Sequence, residues 1–73
     1  MLSTNEDRQD RAMGAMEDYA DRLGVEIEDE GLDTVVSDFL TDLMHLCDAE
    51  DIEWGDMLRR ARDHYTEEVR AAS

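Results

Sequence analysis

Between residues 32 and 47, LDTVVSDFLTDLMHLC, apolar positions recur three, four and seven residues apart. Leu32, Val35, Val36, Phe39, Leu40, Leu43, Met44, Leu46 and Cys47 then share one broad stripe of a helix. Ser37, Asp38, Thr41, Asp42, His45 and Asp48 occupy the other face. A stripe this wide can touch two other helices at once, which makes this segment the central helix. It is predicted to run over 33–48, with Asp33 as N-cap.

The flanking segments each carry a narrower stripe. In the first, Ala12, Met13, Met16, Tyr19, Ala20 and Leu23 form an apolar row opposite Glu6, Asp10, Glu17 and Asp21. Ser3 followed by Glu6 has the spacing of a capping box, and Gly24 stands where a left-handed C-terminal cap belongs, with Val25 folding back on Ala20. A helix over about 4–23 follows. In the last segment, Trp54, Met57, Leu58, Ala61, Tyr65 and Val69 predict a helix over about 53–70, with Trp54 and Tyr65 as core anchors. On its outer side, Asp56 with Arg60 and Arg59 with Asp63 are spaced to pair one turn apart. Between the first two helices, VEIEDEG alternates like a strand but has no second strand to pair with. It reads as an extended connector with Val25 and Ile27 turned inward. The expectation is a compact all-α, three-helix domain spanning residues 1–73.

At 73 residues, such a domain buries only about 60% of its unfolded surface, so its stability is marginal and a partner or self-association would help it. No apolar run approaches the roughly 20 residues a bilayer requires. The start lacks the basic region and apolar run of a secretory signal, and a single cysteine forms no internal disulfide. These features favour the cytoplasm.

Charge changes the picture most. Twenty-one acids stand against seven arginines, a net charge of -14. Between Arg22 and Arg59 lie 36 residues with twelve acids and no Lys or Arg. Such a field repels nucleic acid and anionic membranes, and it speeds association with basic surfaces. A merely solvated surface, or a salt-adapted or GC-rich host, would also produce acidity of this kind. Disorder is disfavoured, because 41% of the residues are hydrophobic and strongly patterned.

Candidate chemistry is sparse. The run DAEDIE, residues 48–53, suggests a calcium loop, but a loop starting at Asp48 would put Ile52 and Glu53 where a ligand and a glycine are needed. His45 and Cys47 are two apart and point to different faces, and Cys47 on the apolar stripe reads as an inert core residue. Base stacking by Trp54 and Tyr65 does not suit so negative a chain. No metal, cofactor or catalytic residue is expected, and the chain is read as a non-enzyme.

The segment LTDLMHLCDAEDIEWGDMLRRARDHY, residues 40–65, resembles a recurring segment of short phage and mobile-element proteins. That segment is an apolar helix ending DL-x-HLCD, followed by an acidic turn and an aromatic-started helix ending RA-x-x-HY. The matching residues are Asp42, Leu43, His45, Leu46, Cys47, Asp48, Trp54, Arg60, Ala61, His64 and Tyr65. In size and charge the chain also looks like anti-CRISPR and anti-restriction proteins, some of which occupy the DNA-binding surface of a host nuclease or surveillance complex.

The expected function is therefore inhibition by acidic DNA mimicry. The partner is a host nucleic-acid-binding complex with a basic surface, with no direct binding of nucleic acid or membrane. Duplex DNA carries about one charge per 1.7 Å of axis, and carboxylates four apart on a helix are about 6 Å apart. Glu17 with Asp21 and Asp38 with Asp42 make such pairs, and with Glu26, Glu28, Asp29 and Glu30 between the helices the acids are expected to form one continuous band of partner-binding residues. The alternative is a non-enzymatic phage or plasmid accessory module acting through a helical homodimer. That alternative would be marked by exposure of Met44 and Leu46 at the edges of the central stripe. The chain is expected to be a monomer or weak homodimer.

Overall fold

The computed structural model describes residues 4–72, and these contain four helices and no strand. α1 is Asn5–Leu23, α2 is Ile27–Glu30, α3 is Leu32–Ala49 and α4 is Trp54–Ala72. The fold is all-α, with the three long helices where the apolar stripes place them.

α1 begins one residue later than the Ser3–Glu6 pairing implies. Thr4 is the N-cap, its hydroxyl accepting from the Asp7 amide at 3.0 Å while the Asp7 carboxylate accepts from the Thr4 amide at 3.1 Å. These bonds, with Arg11 and Arg8 nearby, hold the Asp7 carboxyl below its ordinary range. Ser3 lies outside the described residues. At the other end Gly24 takes the left-handed conformation (φ 75°), and the Val25 amide donates to Ala20 O at 3.0 Å, closing the helix.

The connector after α1 is not extended. Ile27–Glu30 forms one helical turn, with the Glu30 amide donating to Glu26 O and the Gly31 amide to Ile27 O. Glu28 and Asp29 sit in the first turn, where carboxylates favour a helix start, and this outweighs the strand-like alternation. Val25 and Ile27 still turn inward, packing against the core. Gly31 then joins α2 to α3. Its φ of 93° suits glycine, and a Cβ there would lie 2.9 Å from Asp33 Oδ1. Gly31, not Asp33, is the N-cap of α3, and Asp33 falls inside the first turn.

The core lies where α1, α2 and the first half of α3 meet. Met16, Ala20 and Val35 are buried, with Tyr19, Val25, Ile27, Val36 and Phe39 packed around them. Tyr19 and Phe39 meet edge to face, with ring centroids 5.0 Å apart. Cys47 is also buried, as a free thiol.

α4 departs from expectation. It was expected to add its apolar row to the core, yet none of its residues is buried. Tyr65 is 67% exposed, so it is no core anchor, while Trp54 and Met57 are half-buried at the near end. The reason is the path of the helix. α4 leaves the end of α3 and reaches the start of α1 with its far end, where Arg8 Nε meets Glu68 Oε2 at 3.0 Å and the Asn5 side chain donates to Glu68 O at 3.4 Å. It therefore does not lie along the first-half core of α3. Its surface pairing also differs from the expected one-turn pairs, since Arg59 bonds Asp56 at 2.6 Å, three residues away. Principal extents of 37 × 31 × 20 Å give a flat, open outline.

Candidate functional site

All eight candidate acids are exposed, but they are not gathered in one place. Glu17, Asp21, Glu26 and Glu28 surround an open groove of about 490 Å³ whose apolar lining is Met13, Ala20, Val25 and Ile27. The local sequence explains this assembly. Glu17 and Asp21 are one turn apart on α1, and the Gly24 cap swings the chain back so that Glu26 and Glu28 return beside them. Ala20 is buried and Val25 and Ile27 are half-buried, so the groove has an apolar floor under a carboxylate rim.

Asp38 and Asp42 belong to a second cluster, beside Tyr19. Residues two apart on a helix point to nearly opposite faces, so Tyr19 and Glu17 diverge from α1. The Tyr19 hydroxyl donates to Asp42 Oδ2. This bond, with partial burial and the negative charges of Asp42 and Asp38, pushes the phenol up to about 12. Asp42 thus spends one oxygen on the fold. Asp29 and Glu30, on α2, line neither the groove nor the Tyr19 contact.

Sequence reasoning missed the part played by Tyr19, which reads as one more member of the apolar row. The available signal was chemical, since a tyrosine on such a row brings a hydroxyl that seeks an acceptor. The acidic turn after α3 makes a shallower depression of about 260 Å³, lined by Cys47, Asp48, Asp51, Ile52 and Glu53. Among the described residues no three His, Cys, Asp or Glu side chains are grouped to hold a metal ion. No described helix is long and apolar enough to cross a membrane.

No protein-family model, curated protein or solved structure matches the chain.

Proposed function

We propose that the chain is a non-enzymatic inhibitor of phage type, anti-CRISPR or anti-restriction, that occupies a basic nucleic-acid-binding surface of a host defence complex. The observation that carries this reading is the groove with an apolar floor and four exposed carboxylates around it. Arginine and lysine have an aliphatic stem and a cationic head. The stem packs on Val25 and Ile27 while the head pairs with Glu17, Asp21, Glu26 or Glu28. A groove built for phosphates presents several such side chains, and occupying them excludes DNA without any catalysis. Asp38 and Asp42 serve as a separate acidic contact instead of extending one unbroken band.

The test begins by capturing a target from cells that carry a CRISPR or restriction system. The isolated target is then offered the chain and a DNA duplex together. Mutual exclusion is the expected result, with affinity that falls as salt rises. Replacing Glu26 and Glu28 by Gln should weaken binding and make its salt dependence shallower, while circular dichroism stays unchanged. Simultaneous binding with undiminished DNA affinity rejects the reading.

A second reading, a phage or plasmid accessory module without enzymatic activity that acts through a helical homodimer, is favoured by the exposure of Met44 and Leu46 at the edges of the α3 stripe and by α4, none of whose residues is buried.

A further inference from the structure

We infer that α4 is a self-association surface, and that its occupant is the α4 of a second copy of this chain, packed about a two-fold axis. Three observations carry this inference.

The first is the stripe itself. Trp54, Leu58, Ala61, Tyr65 and Val69 recur at intervals of four, three, four and four along α4. Leu58 is 50% exposed, Tyr65 67% and Val69 45%, so among the described residues the outer edge of the row stays largely exposed. Ala61 lies midway, small enough to let a neighbouring helix come close.

The second is area. A folded monomer of 8.4 kDa is expected to expose about 4,600 Å², whereas this chain exposes 6162 Å². Its radius of gyration is 14.1 Å, against about 11 Å for a compact domain of this length. The excess of more than roughly 1,000 Å² matches what one partner contributes to a stable homodimer, about 800 Å² or more. A two-fold pairing uses the same patch on both copies, so a single self-complementary helix face suffices.

The third is charge, which decides between occupants. Within α4, Arg59, Arg60, Arg62 and Arg70 offset Asp56, Asp63, Glu67 and Glu68. The whole net charge of -14 therefore belongs to the rest of the chain. A basic partner gains nothing from a neutral helix and is drawn to the acidic residues elsewhere. A second copy meets net negative charge on each of the other helices, and the neutral α4 is the face through which two such chains meet at the least like-charge cost.

The inference does not depend on the proposed inhibitory role, and its test separates the two. Sedimentation equilibrium from low to high micromolar concentration should give twice the chain mass, with a dissociation constant in the micromolar range or tighter. Raising salt should tighten the dimer, because it screens the acidic flanks. Leu58→Glu with Val69→Glu should weaken association by at least about tenfold, while Glu26→Gln with Glu28→Gln should leave it intact. Where the Glu variants fail to fold, the melting temperature of the unaltered chain decides the matter. It should rise with protein concentration, as it must when folding and association are linked. A monomer at high micromolar concentration with a concentration-independent melting temperature overturns the inference. So does a dimer that survives both Glu substitutions in folded protein, and so does a monomer that instead adsorbs through α4 to lipid vesicles.

Discussion

The two ends of this chain carry apolar rows of similar quality, yet they meet different fates. α1 turns its row onto α3 and buries Met16 and Ala20 against Val35. α4 buries nothing. The difference lies in what joins each helix to α3. After α1, the Gly24 reversal and the α2 turn lay the helix along the first half of α3. After α3, the chain leaves at an angle, and the far end of α4 meets the start of α1, where Glu68 bonds Arg8 and Asn5. Amphipathic periodicity thus says that a face will be covered, but the joint decides whether the cover is internal. Charge divides the same way, with an acidic packed half and a neutral open helix.

The largest expected effect is a packing contrast. Val35 is 1% exposed, so Val35→Ala should cost about 2–3 kcal/mol through lost burial and a residual cavity. Its melting temperature should drop by about 10 °C or more. Leu58→Ala, in the open half, should change the stability of dilute monomeric protein by no more than about 0.5 kcal/mol. Thermal melts of both variants at low concentration measure the contrast, and equal losses would mean that α4 is as well packed as α1.

Next comes the joint. Gly31→Ala forces a side chain into a positive φ and against Asp33, and should cost about 1–2 kcal/mol. Gly14, in the middle of α1 with open space around it, should behave oppositely, gaining about 0.5–1 kcal/mol as Gly14→Ala. Urea titrations of the pair would show whether the α2 turn holds the packed half together.

Tyr19 offers a probe of the α1–α3 contact. Its pKa is pushed up to about 12 from an ordinary 10.0, so the folded state holds the phenol proton more tightly than the unfolded chain. The associated stability is present in full below pH 10 and is lost as pH rises through about 12. Absorbance near 295 nm should show this late ionisation, and Asp42→Ala should bring it down. An unchanged midpoint in that variant would mean that Asp42 is not the acceptor in solution.

The smallest effect tests the tie between the two halves. Both partners of the Arg8–Glu68 pair are about a third exposed, so Glu68→Gln should cost well under about 1 kcal/mol and less still at high salt. A large loss would show that α4 is anchored to α1 more firmly than its exposure implies.

Much of this architecture was legible in the residues. The stripes of α1, α3 and α4 name three helices because 3.6-residue periodicity is a property of the backbone, and Gly24 marks its cap through a conformation that suits glycine. The α2 turn was hidden, because Val25 and Ile27 alternate as a strand would, and the dipole preference of Glu28 and Asp29 is a weaker signal. The openness of α4 could not be read at all, since Leu58, Tyr65 and Val69 would show the same spacing under an internal or an external cover. At the candidate site, the eight acids are exposed, as polar residues off the apolar stripes are expected to be. The sequence did not reveal that Tyr19 and Glu17 leave opposite sides of α1, which separates Asp42 from Glu26.

The joint between α3 and α4 has a consequence for the kinetics of encounter. Only residues 50–53 lie between the helices. Asp51 there takes a φ of 55°, the Ile52 amide donates to Cys47 O at 2.8 Å, and the Glu50 amide donates to Leu46 O at 3.0 Å. A connection this short and this well bonded leaves α4 little freedom to swing. Whatever covers its apolar row finds a helix already formed and aimed, so little conformational entropy is lost on contact. Association should then follow the encounter rate closely, without the lag that a segment folding on its partner would impose.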